Sequence, residues 1–150
     1  MDAVTYPDSS VSDFISTTLI PLRIAHDHED LAPKFQVKWT PLLLLLDASG
    51  AEQYRTLGFF SPEEFIPSLL LGIGKSYFDK GERPAATKQF DLILKDYPNS
   101  ESAPEAIYLK GVAKFIESHD ASHLKNLHES LKRDFPHSTW VMRSTPYSLL

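Results

Sequence analysis

Histidines and carboxylates are the first places to look for chemistry in this chain. His26, Asp27, His28 and Glu29 form one polar run, and His119, Asp120, His123 and His128 form another. His119 and His123 are four residues apart, the spacing that puts two imidazoles on one helix face for a metal. No third ligand stands at a fitting distance along the sequence, so these histidines are expected on solvated surface rather than around a metal. Asp27, Glu29, Asp30, Glu63 and Glu64 could act as paired acids. Their places in turns and first helical turns suit carboxylates that complement a helix dipole instead. No strand-turn-helix serine motif and no glycine-rich phosphate loop is present. The chain has no cysteine, so it has no thiolate to attack a disulfide. No cofactor is expected.

That leaves Trp39-Thr40-Pro41 as the best candidate site, for binding rather than catalysis. Trp39 is expected to pack beside the loop, with an exposed binding aromatic as the alternative. The stretch around it is well marked. Leu42 to Leu46 is a run of five leucines between Pro41 and Asp47-Ala48-Ser49-Gly50. A short apolar run between turn signals reads as a buried strand. Asp47 can bond the turn backbone and Gly50 can take a positive φ. Glu52, Tyr54, Thr56 and Gly58 then alternate with Gln53, Arg55 and Leu57, as in a half-exposed second strand, so the two make a hairpin. Ser61-Pro62-Glu63-Glu64 starts a helix.

Upstream, residues 8 to 19 predict a helix capped by Asp8, Ser9 or Ser10, with Val11, Phe14, Ile15 and Leu19 on one face. Ile20 to Ile24 is expected as a short strand, with Pro21 near its start. Asp30 is expected to cap a short helix through Leu31, Ala32 and Phe35.

Downstream, Leu69 to Asp79 and Ala85 to Tyr97 predict two amphipathic helices joined at Lys80-Gly81-Glu82-Arg83. Pro67 should kink or interrupt the helix before them. Leu70, Gly74, Tyr77, Ala86, Phe90, Ile93 and Pro98 fit the spacing of a tetratricopeptide repeat. Small Gly74 and Ala86 would let the helices approach, Tyr77 and Phe90 would fill the space beside them, and Pro98 would end the second helix. Asp96-Tyr97-Pro98-Asn99-Ser100 recurs 38 residues later as Asp134-Phe135-Pro136-His137-Ser138, and Gly74 recurs as Gly111. Further helices follow at about 104–118 and 122–134, the last weakened by Asn126. Trp140, Val141 and Met142 start a C-terminal cap. The concave face of such repeats would be lined by Lys75, Phe78 and Tyr108.

Residues 1–66 resemble the C-terminal part of the thioredoxin family. The matching positions are Val37, Thr40-Pro41, Leu42 to Leu46, Asp47 to Gly50, Arg55, Gly58 and Phe65. The resemblance implies a cis Pro41 whose neighbouring backbone pairs with an extended peptide. It also implies that Met1 to Asp8 follow a C-x-x-C segment, and that the first two strands of the fold are missing from this chain.

The expected fold class is therefore α/β plus all-α. A partial thioredoxin-like sheet with helices (1–66) precedes a tetratricopeptide-like helical hairpin array with a capping helix (67–150). The expected function is a protein–protein interaction module on a thioredoxin-like remnant without redox cysteines. The alternative is the C-terminal fragment of a thiol–disulfide oxidoreductase whose C-x-x-C lies upstream of Met1. As given, the chain is not expected to be an enzyme. A protein or peptide partner is expected, and self-association through unpaired strand edges is open. The net charge of −5 argues against nucleic acid. No apolar run approaches the roughly 20 residues of a membrane span. No signal peptide is visible, which would leave the chain in the cytoplasm if Met1 is the true start.

Overall fold

The computed structural model describes residues 1–150. The protein is mostly helical, with one two-stranded antiparallel sheet. It divides into two compact units, Met1–Ile66 and Pro67–Leu150.

In the first unit, α1 (Ser9–Thr18) starts where Asp8 accepts from the Ser10 and Val11 amides at 2.9 and 3.2 Å. That bond satisfies two amides that a helix start leaves without partners. Val11 is fully buried, and Phe14, Ile15 and Leu19 are half-buried, as their spacing predicts. The residues before α1 form turns. There Thr5 is buried and donates to the Phe60 carbonyl, and the Tyr6 ring stands edge-on to Phe65 at 5.8 Å.

After α1 the expected strand at Ile20 to Ile24 is absent. The segment has no regular secondary structure, makes no backbone hydrogen bond, and leaves Ile20 98% exposed. A strand exists only through a neighbour, and no neighbouring strand pairs with it. The short helix α2 (Leu31–Lys34) forms, but Asp30 does not cap it. His28 does so instead, its Nδ1 accepting from the Asp30 and Leu31 amides at 3.3 and 3.4 Å.

β1 (Leu42–Leu46) and β2 (Glu52–Leu57) pair as a hairpin, with Leu44 opposite Arg55. Asp47 holds the turn, accepting from the Ser49 and Ala51 amides at 2.9 and 3.1 Å. Gly50 sits at φ 79°, where a side chain would be strained. The strand β1 is not buried as expected: Leu42 to Leu45 are half-buried and Leu46 is exposed.

Of the expected kink or interruption at Pro67, the interruption does not occur: α3 (Pro62–Asp79) runs through Pro67 as one helix. Proline at this place removes only the bond to the Glu63 carbonyl. Its own complete burial, with that of Phe65, Ile66 and Leu69 to Leu71, offsets the loss.

In the second unit, α4 (Arg83–Asp96), α5 (Ala103–Ser118) and α6 (Ser122–Asp134) follow, then α7 (Thr139–Ser144) and a 3₁₀ turn at Thr145–Leu149. The internal repeat has a physical counterpart. A Cβ on Gly74 would lie 2.5 Å from the Phe90 ring, and one on Gly111 would lie 2.6 Å from Leu127 Cβ. Both are inside contact distance, so each glycine admits one large apolar side chain. The repeated Asp-aromatic-Pro turn also keeps its geometry. Tyr97 donates to Ile93 and Phe135 to Leu131, both at 2.8 Å. Ser100 then donates to Tyr97 at 3.1 Å, as Ser138 does to Phe135 at 3.0 Å. Ala86, Phe90 and Ile93 are fully buried, Leu70 is buried and Tyr77 half-buried. Pro98 is exposed and follows the cap residue Tyr97, so it acts on the backbone path rather than in packing.

The C-terminal segment closes on Leu124, Leu127 and Leu131 with Trp140, Val141 and Tyr147. Burial, together with its hydrogen bond to Tyr108, pushes the Tyr147 hydroxyl up to about 12 from its usual 10.0.

Two outcomes follow. Gly74→Leu or Gly111→Leu should lower the unfolding free energy by about 1–3 kcal/mol through overpacking, read from urea melts; unchanged midpoints would contradict the close contacts. A raised tyrosine pKa stabilises the fold fully below pH 10 and loses that contribution as pH rises toward about 12. Tyr147→Phe should therefore flatten the fall of melting temperature above pH 10, and an identical fall in both proteins would contradict this.

Candidate functional site

The Trp39-Thr40-Pro41 loop is built by three elements. The carboxyl end of α2 reverses the chain, with Gln36 at φ 51° and its amide bonded to Pro33 at 3.1 Å. Val37 then donates back to Ala32 at 2.9 Å. From β2, Arg55 reaches across and donates to the Phe35 carbonyl at 2.7 Å. The same guanidinium bonds both Glu52 oxygens, at 2.8 and 2.7 Å, which fixes its direction and holds the Glu52 carboxyl below its usual range. So Arg55 ties the sheet to the segment that presents the loop.

The Thr40–Pro41 peptide bond is cis. Pro41 accepts from the Gly58 amide at 2.9 Å, which extends the ladder by one pair beyond Leu42 opposite Leu57. This pairing puts Trp39 and Pro41 at the same end of the hairpin as Leu57 and Phe59. Trp39 is 74% exposed, Leu57 54% and Phe59 59%. The expectation that Trp39 packs beside the loop is therefore overturned, because nothing in the first unit covers its ring. Thr40 is exposed as well. Three large apolar side chains are thus exposed near this end of the hairpin, and Thr40 lies in the same loop as Trp39.

The other candidates fall to structural roles. His26 and His28 are exposed, and His28 is the cap of α2. His119 ends α5 in a left-handed conformation at φ 57°. No group of three or more His, Asp or Glu side chains is arranged to hold a metal. His128 is not on solvated surface as expected. It is buried, and its Nδ1 lies 2.8 Å from Ser144 Oγ, which itself donates to the Val141 carbonyl. This pair pins α7 to α6. The signal was present: His128 lies four residues after Leu124 and three before Leu131, on the apolar face.

The expected concave lining of the repeats is also occupied internally. Lys75 pairs with Glu105 at 2.7 Å, and the Arg83 guanidinium covers the Phe78 ring at 4.4 Å. Tyr108 does not line a free face. It packs on Trp140 with ring centres 5.0 Å apart and meets the Tyr147 hydroxyl at 3.1 Å. No helix of the protein is long and apolar enough to cross a membrane.

Comparisons of the chain with protein-family models, with curated proteins and with solved structures find no match.

Trp39 offers a direct check of this geometry. Acrylamide should quench an accessible, red-shifted component of the fluorescence, and Trp39→Phe should remove it while changing stability by less than about 0.5 kcal/mol, as surface changes do. Quenching that is unaltered in the variant would place Trp39 in the interior.

Proposed function

We propose that this chain is a protein-interaction module, a thioredoxin-like remnant without redox cysteines joined to tetratricopeptide-like helical hairpins. Its binding surface is the Trp39-Thr40-Pro41 loop, and its ligand is an extended peptide segment with apolar side chains. The observation that carries this is the exposure of Trp39, Leu57 and Phe59 at the end of the hairpin where Pro41 enters β1. Tryptophan at such a place supplies large contact area with few torsions to freeze, which is why it is frequent among residues that dominate binding. Exposed Thr40 backbone beside it suits main-chain pairing with an extended ligand.

The order of elements supports the thioredoxin-like part: a helix, an irregular segment, a short helix, the Thr40–Pro41 loop, a hairpin carrying Arg55, and a helix. The recurring contact of Gly74 with Phe90 and Gly111 with Leu127 supports the repeat part. With no cysteine, these 150 residues have no nucleophile for disulfide exchange.

A displayed library of random peptides panned against the full chain tests the proposal. Apolar, extended sequences should be enriched, and Trp39→Ala should weaken the selected peptides by about tenfold or more, the effect of losing roughly 1.4 kcal/mol. Selected peptides that bind wild type and Trp39→Ala equally would overturn it.

A further inference from the structure

The outer edge of β1 is an unfinished ladder. Gly58 donates to the Pro41 carbonyl, so alternation along the antiparallel pair turns Leu43 and Leu45 toward β2. Leu42 and Leu44 then point their N–H and C=O groups the other way. No backbone or side-chain group bonds them there. Buried or half-buried backbone groups without partners are costly, and β1 is half-buried over most of its length.

Sheet edges are ordinarily protected by charge, proline or cover. The two edges of this sheet differ. β2 carries Glu52, Gln53, Arg55 and Thr56, and the Glu52–Arg55 pair guards it. β1 is five leucines with no charge among them. The chain's own alternative is Ile20 to Ile24, which is bare of backbone bonds. Pro21 removes one donor from that segment, so it could complete the ladder only in part.

We infer that the outer edge of β1 pairs antiparallel with β1 of a second copy of this chain, joining two hairpins into a four-stranded sheet. The sequence of the edge is its own complement. A two-fold axis at Leu44 sets Leu44 against Leu44 and Leu42 against Leu46, so every cross-strand pair is leucine on leucine. Such an isologous contact uses the same edge on both copies and closes at two. The guarded outer edge of β2 keeps the four-stranded sheet from growing further. A pair of five-residue strands is a small interface, so the dimer is weak and concentration-dependent.

Sedimentation velocity on the full chain over a wide concentration range should show a monomer giving way to a dimer. Leu44→Pro removes a donor that faces away from β2, which an edge strand tolerates, so it should stay monomeric with an unchanged far-ultraviolet spectrum. Because the chain has no cysteine, a single introduced thiol reports the register without interference. Leu44→Cys should form a covalent dimer on mild oxidation, since residues paired in this way bring Cα atoms to about 5.5 Å, inside the disulfide range. Ser49→Cys, at the hairpin turn, should not. A wild type that is monomeric throughout, or that grows past the dimer, would overturn the inference, as would a dimer that survives Leu44→Pro. Should Leu44→Pro fail to fold, the cross-link decides alone: equal yields from Leu44→Cys and Ser49→Cys would overturn it.

Discussion

A strand in the middle of an apolar stretch needs hydrogen bonds on both edges, and β1 has them on one. Much of the first unit follows from this. Leu42 to Leu45 stay half-buried because a two-stranded sheet has too little width to cover them. Ile20 and Leu22, spaced as a strand would space them, lie in solvent at 98% and 76% exposure. The buried apolar residues of the unit reduce to Val11, Phe35, Phe65 and Ile66, a core carried by the helices and their connections. Arg55 compensates in part. By bonding Glu52 and the Phe35 carbonyl it fastens the hairpin to the α2 end, where packing alone would not.

The second unit answers to a different constraint, the distance at which two helices can approach. Gly74 and Gly111 each leave room for one large side chain, Phe90 or Leu127, and both of those are buried. Close packing of this kind is sensitive to a single methyl group. The C-terminal segment then covers the last hairpin with the Tyr108–Trp140–Tyr147 rings and the His128–Ser144 bond. Lys75, Phe78 and Tyr108, expected to line a concave face, are taken up in the second unit's own packing.

The sequence made the local elements legible, because their causes are local. Asp8 before an amphipathic run, Asp47 and Gly50 around a turn, Ser61-Pro62 before two glutamates, and Gly74 repeated at Gly111 each name a cap, a turn or a contact directly. It did not reveal what depends on a distant partner. Ile20 to Ile24 has strand composition and forms no strand, since composition cannot supply a neighbour. Asp30 has the chemistry of a cap and yields that place to His28, whose ring reaches the same amides. Trp39 looked like a packing residue because tryptophans usually are, and only the fold shows that its ring has no cover. His128 was legible in principle from its spacing between Leu124 and Leu131, which outweighs its polar type.

Amide hydrogen exchange along β1, resolved residue by residue at low and high protein concentration, tests the central claim most directly. At low concentration Leu43 and Leu45 should exchange slowly while Leu42 and Leu44 exchange quickly, and raising the concentration should slow Leu42 and Leu44 alone. Uniformly slow exchange from Leu42 to Leu46 in dilute solution would mean that β1 already has two neighbours within one chain, and would contradict the account.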